Sequence, residues 1–289
     1  MSEPRQPLVP RPGSVDTVMS PFTVVALILF VALTVVDLVL IETHSIGTAA
    51  AMGTIPVAFA AVLAVSWIVN RVGARRFRPH NEEGVRALVR GEADRAARVF
   101  EEWTGRATIG VRCVARHNLG LARARRGELR AAIALFADNE RRMLRGQLRA
   151  SNATQLALCL CLVGELDLAE AWLVESELRA SNARRGEKPS AAYVRAVLDC
   201  RRGRANEAAR ELDRLWPDIE GIFGAFVARP VRVVHAFARG QVGGPREAGA
   251  ATQLLGDARP RFSGEYDWLG AEWPEMRVFL GDNGLAGKA

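Results

Sequence analysis

The stretch HNLGLARARRGELRAAIALF, His117 to Phe136, decides the fold. Gly120 is a small residue, Gly127 follows it, and Ala132 and Phe136 come next. Glycine adopts positive φ without steric cost, so Gly127 ends one helix in a tight turn. Ala132 and Phe136 are one turn apart and share a face of the returning helix. The small residue at 120 and the alanine at 132 let the two helices approach closely. The stretch therefore predicts a helix, a tight turn and a second antiparallel helix.

The same spacing recurs on both sides. Gly84, Gly91, Ala96 and Phe100 precede it; Ala157, Gly164, Ala169, Leu173 and then Ala196, Gly203, Ala208, Leu212 follow. The turn glycines at 91, 127, 164 and 203 are separated by 36, 37 and 39 residues. A single hairpin of this size cannot bury its apolar face, whereas a stack of hairpins makes a continuous core. Residues between hairpins, such as 180–189, absorb the extra length. Beyond Trp216 the phasing decays. Val231 to Arg239 and Pro245 to Leu255 are expected to form a worn fifth hairpin turning at Gly243 or Gly244. The last segment, Ser263 to Leu280, gathers Tyr266, Trp268, Trp273 and Phe279. Ser263 followed by Glu265 suits a helix start. The segment reads as a helix capping the open end of the stack, with an aromatic ligand pocket as the alternative.

Two apolar runs lie upstream, Phe22 to Ile41 and about Thr48 to Val69. Each reaches the roughly 20 residues that a spanning helix needs. Val, Leu, Ile and Phe at about −0.3 to −0.6 kcal/mol each outweigh Asp37, which opposes insertion by at most about 3 kcal/mol. Asp37 is an ionisable group near the end of a span; it fits a polar contact there, and as an intramembrane charge it is also a functional candidate. Arg71, Arg75, Arg76 and Arg78 follow the second run, Arg5 and Arg11 precede the first, and the connecting residues 42–47 contain no Lys or Arg. The positive-inside rule puts both termini in the cytoplasm, in the inner membrane of a bacterium. A cleaved signal peptide fits poorly, because the apolar run is too long and a 21-residue tail precedes it. That tail, with Pro4, Pro7, Pro10, Pro12 and Pro21, is expected to be disordered.

The charge of +7 and pI near 10.0 come almost wholly from arginine, the only lysines being Lys188 and Lys288. A GC-rich genome explains this plainly. The arginines are interspersed with acids and accompanied by few aromatics, which argues against nucleic acid. Clustered at 71–78, they suit anionic headgroups. Cys113, Cys159, Cys161 and Cys200 lack metal-ligand spacing and read as packed thiols in a reducing compartment. His44, His80, His117 and His235 are scattered, and no phosphate loop, zinc-protease helix or nucleophile elbow occurs. Glu82-Glu83 and Glu101-Glu102 are adjacent pairs whose side chains diverge on a helix. No enzyme, cofactor or metal is expected.

The recurring Gly, Ala and Phe positions, and His117-Asn118-Leu119-Gly120 above all, resemble the tetratricopeptide repeat family. The resemblance covers about Pro79 to Trp216. Gly91, Ala96, Gly120, Gly127, Ala132, Phe136, Gly164, Ala169, Gly203 and Ala208 carry it. It implies that first helices line a concave groove for a protein or peptide. Val85, Leu88 and Val89 would line it first, then Val114, His117, Leu121 and Arg125. Ser151, Thr154, Leu158 and Cys161 would come next, then Tyr193, Val197 and Arg201. Some members clamp a terminal carboxylate with Lys and Asn; Asn118 matches one such position, but the lysines are absent. The expected architecture is all-α: a disordered tail (1–21), a transmembrane hairpin (22–70), a basic linker (71–78), an α-solenoid of tetratricopeptide-like repeats (79–216), and a degenerate repeat with a capping helix (217–289). The expected function is a membrane-anchored adaptor for protein-protein interaction. The alternative is an accessory subunit of a transport or envelope assembly, with the hairpin as the active part.

Overall fold

The computed structural model describes residues 48–106, 109–141, 147–180 and 187–287, with no account of the side chains of 48–59, 62, 66, 106, 109, 147, 187–189 and 220–227. The described residues are all-α. Ten α-helices are present: α1 (Thr48–Arg90), α2 (Ala93–Arg106), α3 (Ile109–Arg125), α4 (Leu129–Glu140), α5 (Gln147–Val163), α6 (Leu166–Ala180), α7 (Glu187–Arg201), α8 (Ala205–Val242), α9 (Pro245–Asp257) and α10 (Pro274–Asp282). A short 3-10 turn, Asp267–Leu269, precedes the last.

The helices pair in sequence order as stacked hairpins. Each of the first four turns is built the same way. Gly91, Gly127, Gly164 and Gly203 have φ of 83°, 77°, 89° and 74°. The next residue donates its N–H to the carbonyl five back: Glu92 to Ala87, Glu128 to Arg123, Glu165 to Leu160, Arg204 to Asp199. That bond satisfies a carbonyl left orphaned at the helix end and selects glycine at the turn. Ala96, Ala132, Ala169 and Ala208 are fully buried, as are Phe100, Phe136, Leu173 and Leu212. Gly84 faces the Phe100 ring and Gly120 the Phe136 ring, so closely that a Cβ at 120 would stand 2.7 Å from ring carbons. The spacing read from 117–136 thus marks where two helices touch. The fifth hairpin turns at Gly243 and Gly244, with φ of 80° and 91°.

The 38-residue run α8 contains Pro217 and Pro230. Its Asp213 meets His235 at 2.9 Å and Arg239 at 2.6 Å. In a straight helix those residues would stand about 33 and 39 Å away. The chain therefore doubles back between them. The first arm of α8 completes the fourth hairpin, and the second opens the fifth.

Two further expectations differ from what is found. Residues 71–78, read as a linker, are part of α1, which runs 43 residues without interruption. Phe77 is 5% exposed and packs on Trp103, ring centroids 5.2 Å apart, so α1 lies against its partner helix before the expected repeat begins. Ser263 starts no helix. Residues 261–266 are turns with Gly264 at φ 78°, and α10 begins only at Pro274. The Glu265 carboxylate is held by the Arg261 N–H at 2.7 Å and by Arg229 at 3.4 Å.

Among the described residues no helix is long and apolar enough to cross a membrane. The first expected span, 22–41, and Asp37 lie outside the described residues, as does the proline-rich tail. The second is described with its side chains only from residue 60.

Candidate functional site

The first helices of the hairpins were expected to line an open groove. The C-terminal segment 259–287 packs along much of that face. Arg261 donates to the Val89 carbonyl at 2.7 Å, and the Phe262 ring covers Gly91 in the first hairpin. Trp268 lies under the Arg125 guanidinium, 4.3 Å from ring centroid to Cζ, and Glu272 pairs with Arg130 at 2.9 Å in the second. Trp273 lies under Arg201 of the fourth at 5.4 Å and against Phe237 of the fifth at 5.0 Å. Tyr266, Trp268, Leu269, Trp273, Met276, Leu280 and Leu285 are at most 4% exposed, and they share one core with Leu158, Cys161 and Val197. Burying a Leu or Met contributes about 1.5–3 kcal/mol, so the four aliphatic and thioether side chains alone account for roughly 6–12 kcal/mol as an upper bound. That magnitude makes the segment an integral layer of the fold, too costly to swing aside as a lid.

The candidate residues divide accordingly. Leu158, Cys161 and Val197 are buried in this core, with Leu121 and Tyr193 packed against it. His117 and Thr154 sit between helices. His117 reaches Asn152 Oδ1 at 3.3 Å and Ser151 at 3.4 Å, and it meets the Phe136 ring edge-on. Burial pushes its pKa down to about 4, against a smaller opposing effect of the Asn152 contact. Asn152 also donates to the Phe136 carbonyl at 2.9 Å and to Glu140 at 2.8 Å, and Glu140 in turn holds Arg179 at 2.7 Å. Thr154 bonds the Ser176 hydroxyl and the Ala150 carbonyl. Nothing in their spacing distinguishes these inter-helix positions from groove positions, because each points only one helical step away. Asn118 donates to Asn81 across the first two hairpins at 2.7 Å and is occupied there.

What stays accessible on this face lies toward the first hairpin. Val85 and Val89 are 40% and 38% exposed, and Arg125 is exposed as well. Arg125 makes no ion pair or hydrogen bond among the described residues beyond its stack on Trp268. Protein crowding around its guanidinium pushes its pKa down. Tyr193 Oη and Trp268 Nε1 nearby are buried and unpartnered. The free side of the first hairpin carries a polar cleft lined by His80, Glu83, Arg86, Arg90 and Arg95, in which Arg95 pairs with Glu83 at 2.9 Å and Glu92 at 3.3 Å.

The thiols have no reactive environment. Cys113, Cys159 and Cys161 are buried, and burial pushes the Cys159 and Cys200 pKa values up to about 12 and that of Cys161 higher still. Among the described residues no cluster of His, Cys, Asp and Glu is placed to hold a metal. The missed feature is the C-terminal layer. Its signal was the dense aromatic run 266–279, which was expected to cap the open end of the stack and instead packs along the face expected to be the groove. No family model, curated protein or solved structure matches the chain.

Proposed function

We propose that this protein is a membrane-anchored helical-repeat adaptor, acting by binding and not by turnover. One observation carries the anchoring. In the first part of α1, Leu63, Val65, Trp67, Ile68, Val69 and Val72 are 43–61% exposed, on every side of the helix. No other described part of the chain covers them. A helix that is apolar all round needs a nonaqueous surrounding. The upstream run Phe22–Ile41 and the run from Thr48, whose first twelve residues have no described side chains, would supply the two crossings, and by the positive-inside rule Arg71, Arg75 and Arg76 would face the cytoplasm. Arg71 stacks on Trp67 at 5.1 Å, a pairing suited to an interface. The resemblance to tetratricopeptide repeats supports a protein or peptide partner.

Because α1 passes straight from the apolar run into the first hairpin, the array is held on a helix about 65 Å long. Tethering raises its effective concentration for partners in the same membrane. The partner surface is the accessible inner face at Val85, Val89 and Arg125. A photo-crosslinking residue at Val89 tests this in intact membranes, with Val174, 45% exposed on α6, as the comparison. A discrete protein adduct at 89 that is absent at 174 and lost with Arg125→Glu is expected. Equal adducts at both positions contradict it.

A further inference from the structure

The hairpin register places one edge of the array at the level where α1 leaves its apolar run. Asn118 bonds Asn81, so α3 runs alongside α1 with an offset of 37 residues. By that offset Gly110, at the start of α3, is level with Gly73. Asn139 donates to the Cys113 carbonyl at 3.0 Å, which brings Arg141, two residues on, level with about Ala74. Asn152 meets His117, which brings Arg149 level with about Phe77. Phe77 itself packs in the same cluster as Val111, so α1 and α3 remain side by side up to this point. At a rise of about 1.5 Å per residue, Arg141 and Arg149 lie roughly 8 and 12 Å beyond Val69. A headgroup layer is about 5–8 Å thick, and charge is felt for about another Debye length beyond it.

The groups left without an ion-pair partner at this edge are of one sign. Arg75, Arg76, Arg141 and Arg149 are exposed, and their guanidinium groups make no hydrogen bond or ion pair among the described residues. The nearby acids are engaged: Glu82 by Arg78 at 3.0 Å, Asp138 by Arg116 at 3.0 Å, Glu140 and Glu175 by Arg179, each at 2.7 Å. Glu101 is held by Arg123 at 3.4 Å and Glu102 is engaged as well; both adjoin Trp103, which packs on Phe77 and His80. At the opposite edge the turn arginines are paired: Arg126 with Asp94 and Glu128, Arg202 with Asp167 and Glu170, Arg204 with Asp199.

We propose that this edge of the second and third hairpins rests on the bilayer, with Arg75, Arg76, Arg141 and Arg149 contacting the phosphates of anionic lipids. The inference relies on the membrane anchoring proposed above. It turns the array from a body held away from the membrane into one seated against it, with Val85 and Val89 facing along the bilayer plane.

The test uses the full chain in vesicles of phosphatidylcholine with and without phosphatidylglycerol. A fluorophore is placed at position 110, where a side chain meets open space, or at Ile68 or Glu207 as references. Headgroup nitroxides are expected to quench the label at 110 strongly in anionic vesicles, and the label at 207 weakly. Arg141→Glu with Arg149→Glu lowers the membrane-seated population on the order of tenfold, because each arginine contributes about 1 kcal/mol near an anionic surface. No such drop is expected without phosphatidylglycerol. A label at 68 quenched by acyl-chain nitroxides, with 110 unquenched or indifferent to the charge reversals, overturns this inference and leaves the anchoring intact. An unquenched label at 68 overturns both.

Discussion

The Arg125 guanidinium lies 4.3 Å from the centre of the Trp268 ring, joining the second hairpin to a segment more than a hundred residues further along the chain. Trp268 is 4% exposed, and the core around it extends from Ala124 to Leu285. The C-terminal segment is therefore a structural layer of the array.

Trp268→Ala is expected to cost about 3–5 kcal/mol, as for other large-to-small changes at buried aromatic sites. Trp268→Phe keeps most of the buried area and is expected to cost less than half of that. Denaturant unfolding of the full chain in mild detergent reads both. Equal stability of Trp268→Ala and the parent means that the segment is not part of the core.

Gly120→Ala gains about 1 kcal/mol of helix propensity and is nevertheless expected to destabilise by about 1–3 kcal/mol. Its Cβ would stand 2.7 Å from the fully buried Phe136 ring. Gly110→Ala meets open space and is expected to stabilise slightly. Combining Gly120→Ala with Phe136→Leu separates the clash from the lost ring, and a double-mutant cycle reads the coupling. Opposite signs at 110 and 120 are the expected outcome.

How much of this was legible follows from range. The turn glycines, the buried alanines and the Gly120–Phe136 contact are encoded within one hairpin, so a 36-to-39-residue period exposes them. The reversal inside α8 was legible only in part: the phasing decays beyond Trp216 and a further hairpin was expected from Val231, but no residue was read as the point where the chain turns back. Arg261 to Val89 and Arg130 to Glu272 span 172 and 142 residues. No local period records such pairings, so the aromatic run 266–279 showed that something is covered, and it was assigned to the open end of the stack instead of the inner face. His117 and Thr154 looked like groove residues because one helical step separates the inner face from the inter-helix face. Their buried partners, Asn152 and Ser176, come from neighbouring helices.

His117 makes stability fall in mild acid. Its pKa is lowered to about 4 by burial, against about 6.5 in the unfolded chain. Between those values the unfolded chain binds more protons than the folded one, so unfolding free energy rises with pH. The contribution is complete above about pH 6.5 and is lost downward toward about pH 4, amounting to about 3 kcal/mol at most. His235, lowered by burial despite Asp213, adds in the same direction. His117→Gln is expected to flatten the profile of stability against pH in this window. An unchanged slope contradicts the assignment.

Fragments beginning at Ala74 and at Pro79 differ in one buried ring. Phe77 packs on Trp103 and is nearly inaccessible. The shorter fragment is expected to be less stable by about 3–5 kcal/mol, read by thermal unfolding. Equal stability places the start of the folded array after Pro79.

The most direct test of anchoring is alkaline carbonate extraction of membranes from cells producing the full chain. A chain whose apolar runs cross the bilayer stays with the lipid pellet and leaves it only in detergent. Release of the full chain into the carbonate supernatant contradicts the anchoring outright.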